Sequence, residues 1–351
     1  VAGVRADGLA LGIIECQPML DERKAAILRA VVEEYIATAQ PVGSAHVARA
    51  PGVGVSPATV RNEMAVLEQE GYLTQPHTSA GRIPTDKGYR AFVDHLAPRG
   101  TLAPGTRQLV REFFTRAHGE LEEMLRDTSR LLARITDYAS VVVGPQHEAA
   151  RIRSVQLVGL SPRNGLLVAV LSNGVVERRA VEFAGEVGDE RVAAASARLA
   201  AHLVGATLAN LPPIPAAGDP VTDEVVGRAR QALADGASHE AEQVFVGGTA
   251  RIAAAFEAIE TVRRVLQTLE QQYLLVSLLR DLIDRGLSVS IGHEHGVQPL
   301  AECSIVIAPY EVGGERAGTI AVLGPTRMNY PQAMAAVAAV GSRLGRALSE
   351  G

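Results

Sequence analysis

The run Val55-Ser56-Pro57-Ala58-Thr59-Val60-Arg61-Asn62-Glu63-Met64 restricts the fold of this chain more than any other. Gly71-Tyr72-Leu73 follows it, and then the loop Pro76-His77-Thr78-Ser79-Ala80-Gly81-Arg82-Ile83-Pro84. Ser56 before Pro57 marks a helix start, because the serine hydroxyl accepts from free first-turn amides and proline needs no donor at the first helical position. Val60, Met64 and Leu67 recur at helical spacing and predict the buried stripe. At about 100° per residue the opposite face carries Ala58, Asn62, Ala65 and Gln69, with Arg61 on its flank. Small residues let such a face approach base edges. Arginine and asparagine make paired hydrogen bonds to guanine and adenine, discriminating by roughly 1–3 kcal/mol for each good pair. An ordinary amphipathic surface helix would show the same stripe, so the neighbouring elements decide.

Upstream, Asp21 predicts the cap of a helix whose apolar face is Ile27, Val31, Val32, Tyr35 and Ile36, ended by Pro41-Val42-Gly43. Ser44 opens a short helix through Arg49, and Pro51-Gly52-Val53-Gly54 turns the chain into the Ser56 helix. Two helices joined by a glycine-containing turn form a helix-turn-helix. Downstream, Tyr72–Gln75 and Arg82-Ile83 suit two short strands, and Thr85 caps a last helix burying Tyr89, Phe92, Val93 and Leu96. Residues 21–104 are therefore expected to form a winged helix-turn-helix that grips double-stranded DNA. Its contacts are expected from Ser44, His46, Ser56, Ala58, Thr59, Arg61 and Asn62 on the helices, from His77, Thr78, Ser79, Gly81 and Arg82 on the hairpin, and from Lys87. Arg82 is placed at the hairpin tip, against a phosphate or the minor groove.

The charge balance opposes that expectation. From Asp21 to Pro98 there are 8 Lys and Arg against 9 Asp and Glu, a net of −1, whereas phosphate neutralisation normally supplies much of the affinity. Position resolves the conflict if Glu33, Glu34, Glu68 and Glu70 lie on distal helix ends while Arg61, Arg82, Lys87 and Arg90 gather near the helix start and the wing. Modest non-specific binding and reliance on a dimer follow.

These residues resemble the HrcA family of heat-inducible transcription repressors. The resemblance is carried by Tyr35-Ile36 with Pro41-Val42-Gly43-Ser44, by Ser56–Met64, by Leu67-Glu68 with Gly71-Tyr72-Leu73, and by the run Gln75–Tyr89. Gly324-Pro325-Thr326-Arg327-Met328-Asn329-Tyr330 extends it towards the C-terminus. Where similar proteins often place a basic residue after Ser44, this chain has Ala45 and His46. The resemblance implies an α+β multidomain chain: an N-terminal winged helix-turn-helix and a GAF-like α/β domain carrying an inserted dimerisation module. It also implies a homodimer on an inverted-repeat (CIRCE-type) operator of chaperone genes, released on heat stress, with activity maintained by the GroE chaperonin.

The length of 351 residues holds several cores. Net charge −5, 4% aromatic residues and no tryptophan describe an ordinary acidic protein, and Cys16 and Cys303 are too few for a disulfide framework, as in a reducing cytoplasm. No apolar run approaches the ~20 residues that span a membrane, and Val1–Leu20 reads as a disordered leader or translated upstream sequence.

Further along, Thr106–Tyr138 reads as one long helix, and Ile152–Leu160, Leu166–Leu171 and Val175–Phe183 as an antiparallel meander turned by Asn164-Gly165 and Asn173-Gly174. Helices are expected over Arg191–Ala209, Thr222–Ala234 and Ile259–Arg285, then strands at Leu287–Ile291, Cys303–Ala308 and Thr319–Leu323, and a closing helix from Pro331. The expected division is a GAF-like domain over 105–187 and 256–351, interrupted by the dimerising insertion at 188–255.

No nucleophile-and-base set emerges, so no enzyme and no cofactor are expected. His293-Glu294-His295 near Cys303 is the one constellation resembling a metal site, and Gly292 and Gly296 mark it as a surface turn. A sensor of a small ligand through the GAF-like domain, or an enzyme fused to a DNA-binding domain, are the rival readings. The first requires a ligand that shifts operator binding without chaperonin, the second a stoichiometric metal or a catalytic set.

Overall fold

The computed structural model describes residues 20–77, 80–98, 100–116, 121–145, 150–172, 174–237, 243–256, 258–285 and 288–350. The leader expected over Val1–Leu20 lies outside them except for Leu20, as do Thr78, Ser79, Asn173 and Cys16. The chain divides into two compact units, residues 1–96 and 97–351, so the expected boundary at 104 falls at 96.

In the first unit the expected helices form. Helix α1 (Glu22–Thr38) begins where the Asp21 carboxylate accepts from the Lys24 amide, and ends at Ala39 in the left-handed region (φ 55°). Ile27, Leu28, Val31 and Val32 are its buried face, each worth about 1.5–3 kcal/mol of burial. Helix α2 (Ser44–Val47) is shorter than the run to Arg49 predicted from the sequence, with Gly43 rather than Ser44 at the cap position. Gly52 (φ 83°) and Gly54 (φ 60°) then turn the backbone through conformations that side chains disfavour. Helix α3 (Pro57–Gln69) starts with the Ser56 hydroxyl accepting from the Thr59 amide and buries Val60, Met64 and Leu67. Strands β1 (Leu73–Thr74) and β2 (Ile83–Pro84) pair antiparallel. Thr85 caps α4 (Asp86–Ala91), which runs on as a π-helical turn to Leu96. Tyr89 and Phe92 are buried, Val93 and Leu96 half-buried.

The second unit begins with α5 (Pro104–Arg116) and α6 (Leu121–Thr136), followed by β3 (Ala139–Val143). Helix is described over Pro104–Arg116 and Leu121–Thr136 of the expected Thr106–Tyr138 run, residues 117–120 lying outside the described residues, and α6 stops at Asp137, whose left-handed backbone (φ 63°) ends it. Strand β3 belongs to a five-stranded antiparallel sheet with β7 (Val244–Gly247), β8 (Val289–Ile291), β9 (Cys303–Val312) and β10 (Glu315–Pro325), in the order β7-β3-β10-β9-β8. Ala139, Val141, Val143, Ile305, Ile307, Ala321 and Leu323 pack against α9 (Thr249–Ala255), α10 (Ile259–Glu270) and α11 (Gln272–Asp284). Alternate residues turn to the other face, towards α6 and α12 (Tyr330–Glu350). Two hydrogen bonds mark that side: Ser140 Oγ donates to the Ser129 carbonyl, and Ser304 Oγ meets the Tyr330 hydroxyl at 2.8 Å.

Between β3 and β7 lies a second core. Strands β4 (Ile152–Ser161), β5 (Asn164–Leu171) and β6 (Val176–Glu182) form a separate three-stranded meander, backed by α7 (Asp189–Leu203) and α8 (Pro220–Ala237). Its buried residues run from Ala150 to Leu233. The bounds expected for the insertion, 188–255, cut across these elements: the meander lies before them, and β7 pairs with β3 in the five-stranded sheet. Pro162-Arg163 makes the first tight turn, with Ser161 opposite Asn164, so Asn164-Gly165 opens β5 and is not the turn. Gly174 (φ 84°) does serve the second.

Candidate nucleic-acid interface

On the first unit, Ser56, Ala58, Arg61 and Asn62 lie exposed along α3, with Thr59 half-buried beneath them. Ser56 Oγ and Thr59 Oγ1 stand 3.0 Å apart, so the cap also orders the first turn. The Arg61 guanidinium has no ion pair or hydrogen bond among the described residues, and neither does the Asn62 side chain. A cation and an amide stand beside the bare Cβ of Ala58, available to a ligand that offers acceptors.

The other charged groups are largely neutralised within the unit. Arg23 lies 3.6 Å from Glu63, Lys24 2.9 Å from Glu70 and Arg90 3.2 Å from Asp94, while the His46 ring Nε2 is 2.9 Å from a Glu34 oxygen. The hydrogen bond from Lys24 to Glu70 holds that ammonium above its ordinary range. The net of −1 over the segment is thus spread unevenly, because Glu63, Glu68, Glu70 and Asp94 are each matched at close range. Charge near the start of α3 comes chiefly from Arg61.

The residues expected to cluster there are not all brought together. Arg82 is not at the hairpin tip: it is the residue before β2, and its Nε and one terminal nitrogen each reach Glu68 Oε2 at 2.9 Å. Lys87 is at the opposite end of α3 from Ser56, where its ammonium donates to the Glu70 carbonyl at 2.8 Å and sits 4.4 Å above the Tyr72 ring. That places a cation at the negative end of the helix. Gly81 owes its identity to packing, since a Cβ there would stand 2.4 Å from the Val42 carbonyl oxygen. His77 is exposed in the hairpin turn, its carbonyl accepting from the Ala80 amide. Ser44 is half-buried and His46 exposed on α2. Glu68, Glu70 and Val42 were missed by sequence reasoning. A lone glutamate late in a helix carries no signal of its partner.

The second unit shows different chemistry. His293 and His295 are on a 3-10 turn, Gly292–His295, rather than on a strand. His295 is buried, with Nε2 2.9 Å from the Leu300 carbonyl and Nδ1 accepting from the Val297 amide, and burial lowers its pKa. Cys303 is buried and its thiol pushed up to about 12 by desolvation. Among the described residues, no group of three or more His, Cys, Asp or Glu could hold a metal ion. The Gly324–Tyr330 run joins β10 to α12: Met328 and Tyr330 are fully buried, Arg327 donates to the Ala255 carbonyl, and the Asn329 amide donates to Tyr138. Its distinctive sequence is explained by packing. No helix among the described residues is long and apolar enough to cross a membrane.

Comparison with known proteins agrees with this architecture. Residues 122–334 match the family described as HrcA protein C terminal domain. The heat-inducible transcription repressor HrcA of a Nocardioides species is 41% identical over 342 residues, covering 95% of this chain and all of that protein. That of Thermobifida fusca is 39% identical over 347 residues, covering 96% and 99%. A crystal structure described only as that of a hypothetical protein matches the fold with a TM-score of 0.59 at 22% identity, over 94% of this chain and 99% of the other. The family match and these near full-length relatives leave one assignment: the chain belongs to the HrcA family of heat-inducible transcription repressors.

Proposed function

We propose that this chain, as a homodimer, represses chaperone genes by binding an inverted-repeat (CIRCE-type) operator and leaves it on heat stress. The observation that carries the reading is the Ser56-capped helix with Arg61 and Asn62 exposed and unpartnered beside Ala58. We read the first unit as a winged helix-turn-helix, with α3 in the major groove and the β1–β2 hairpin as the wing. Direct contacts are assigned to Ser56, Ala58, Thr59, Arg61 and Asn62, with Ser44, His46 and His77 at the margins. Two such helices related by two-fold symmetry match half-sites one helical turn, roughly 34–36 Å, or a multiple apart.

The second unit is read as a GAF-like domain bearing a dimerising insertion. The seam is assigned to the outer face of the meander, where Val158 is 41%, Leu160 64% and Val176 45% exposed. Exposed apolar side chains on a sheet face backed by helices on its other side are what a second copy would cover. Heat release follows from marginal stability: a protein that unfolds readily loses the operator, and GroE chaperonin in the cytoplasm returns it to the competent state while free to do so.

The test is Arg61→Ala in an operator-binding assay against scrambled duplex. Operator preference should fall by about 1–3 kcal/mol, roughly five- to 150-fold. An unchanged preference would remove α3 from base reading.

A further inference from the structure

We propose that Glu68 and Arg82 are a positioning pair that sets the angle of the β1–β2 hairpin against α3, and that Arg82 is not itself a phosphate ligand. The inference rests on the DNA reading of this unit. Arg82 has its Nε and one terminal nitrogen at 2.9 Å from the same Glu68 oxygen, and only 15% of its side chain is exposed. A guanidinium held by two nitrogens on one carboxylate is fixed in direction as well as in place. Its charge is already matched before any duplex arrives.

The backbone around it is equally committed. The Val42 amide donates to the Arg82 carbonyl at 2.9 Å and the Arg82 amide to the Val42 carbonyl at 3.0 Å, an isolated antiparallel bridge that ties the α1–α2 link to the residue before β2. Gly81 permits that approach, because a Cβ would meet the Val42 carbonyl oxygen at 2.4 Å. Gln75 Nε2 donates to the Ala80 carbonyl at 2.8 Å and closes the hairpin from within. The hairpin is thereby tied to the α1–α2 link through its backbone and to α3 through one ion pair.

Glu68 is the right residue to receive that tie. It follows Arg61 by about two helical turns, so both project from nearly the same side of α3, roughly 10 Å apart along the axis. A hairpin fastened at Glu68 hangs beside the line of Arg61. Loosening the pair would let the His77 turn drift relative to the helix, and both could no longer meet one duplex in register.

The experiment is a double-mutant cycle in the full-length chain: Glu68→Gln, Arg82→Gln, both together, and the exchange Glu68→Arg with Arg82→Glu, each titrated with operator over a range of salt. Each single change should weaken binding about tenfold, the double change no further, and the exchange should recover most of it. The slope of log affinity against log salt should stay at the wild-type value throughout. A phosphate role for Arg82 gives the opposite pattern: Arg82→Gln flattens the slope by about 0.9 and Glu68→Gln leaves binding intact or tightens it, which overturns the proposal. Hydrogen exchange on DNA-free protein separates the pair from the DNA reading. Peptides over 73–84 should exchange faster in Glu68→Gln while those of α1 do not, and unaltered exchange also overturns it. Faster exchange with unchanged operator affinity overturns it too, and locates the fault in the DNA role of the hairpin. Should the glutamine variants unfold globally, Glu68→Asp, which shortens the reach and keeps the charge, is read by the same criteria.

Discussion

The two sheets of the second unit are built from similar residues and reach opposite ends. In the five-stranded sheet both faces are covered, by α9, α10 and α11 on one side and by α6 and α12 on the other. Every residue of β3 is buried as a result. In the meander only one face is covered: Leu157, Leu167, Leu171 and Val181 pack inward on Leu199, Leu203, Val226 and Leu233. The outer face nevertheless carries an apolar patch. Val158 stands opposite Leu166, Leu166 opposite Ala180, and Val170 opposite Val176, bordered by Ser154, Gln156, Arg178 and, at the turn end, Asn164 and Glu182. A sheet open to water normally alternates apolar and polar residues. The meander keeps that alternation only in part, and the apolar remainder of its outer face, uncovered among the described residues, is what the seam proposed above would cover.

A charge placed in each sheet gives the largest contrast. Val142→Asp puts a carboxylate between two covered faces, where Val142 is fully buried. The cost should be on the order of 4 kcal/mol or more, a large part of a typical domain's stability. Circular dichroism should show no cooperative thermal transition for the second unit. A folded variant with a near-normal melting temperature would mean that this sheet is less sealed than its burial indicates.

Leu166→Arg in the meander should instead fold normally and lose the dimer. Leu166 is half-buried beside Val158 and Ala180 on the outer face. Removing one such apolar contact on each partner and inserting two like charges should weaken the dimer by at least about a hundredfold. Sedimentation equilibrium should find monomer at micromolar protein, with weaker operator binding as its consequence. A dimer of undiminished stability would move the seam off this sheet and leave the comparison without its functional point.

The same contrast governs what could be read from sequence. The capped helices α1, α3 and α4 were legible because Asp21, Ser56 and Thr85 each satisfy local amides, a signal contained within four residues. The meander was legible because its inward residues alternate. Strand β3 was not, because Ser-Val-Val-Val buried on both faces has no period and follows directly on a long amphipathic helix. Strand β7, similarly short, pairs with β3 across about a hundred intervening residues, and no local pattern announces that pairing. For this reason the bounds expected for an insertion cut across β7: which strands share a sheet is not written in where the helical pattern changes. On α3, the exposure of Arg61 and Asn62 was legible from helical phase alone, whereas the engagement of Arg82 by Glu68 depends on how a hairpin folds back and was out of reach.

A smaller effect separates the two sheets by pH. Beside the five-stranded sheet, burial lowers the pKa of His295 below 6.5, and its ring is held between the Leu300 carbonyl and the Val297 amide. The unfolded chain takes up a proton near 6.5 and the folded chain only at lower pH, so the stability from this group is present above 6.5 and is lost as pH falls towards the folded value. In the inserted module the perturbed groups are carboxylates. Asp223 is held below 3.8 by the Ala217 amide and then by Arg198, and Asp219 by the Thr222 hydroxyl and then by Arg191. Their contribution is present above 3.8 and is lost only at more acid pH. Between pH 7.5 and 5.5 the two regions should therefore part company. Hydrogen exchange, corrected for its intrinsic pH dependence, should show protection falling in peptides over 289–312 and holding in those over 152–171. His295→Gln, which retains a donor for the Leu300 carbonyl and cannot take up the proton, should abolish the difference. Equal loss of protection in both regions, or a difference that survives in the glutamine variant, would show that the histidine does not set the acid response and that the sheets open as one.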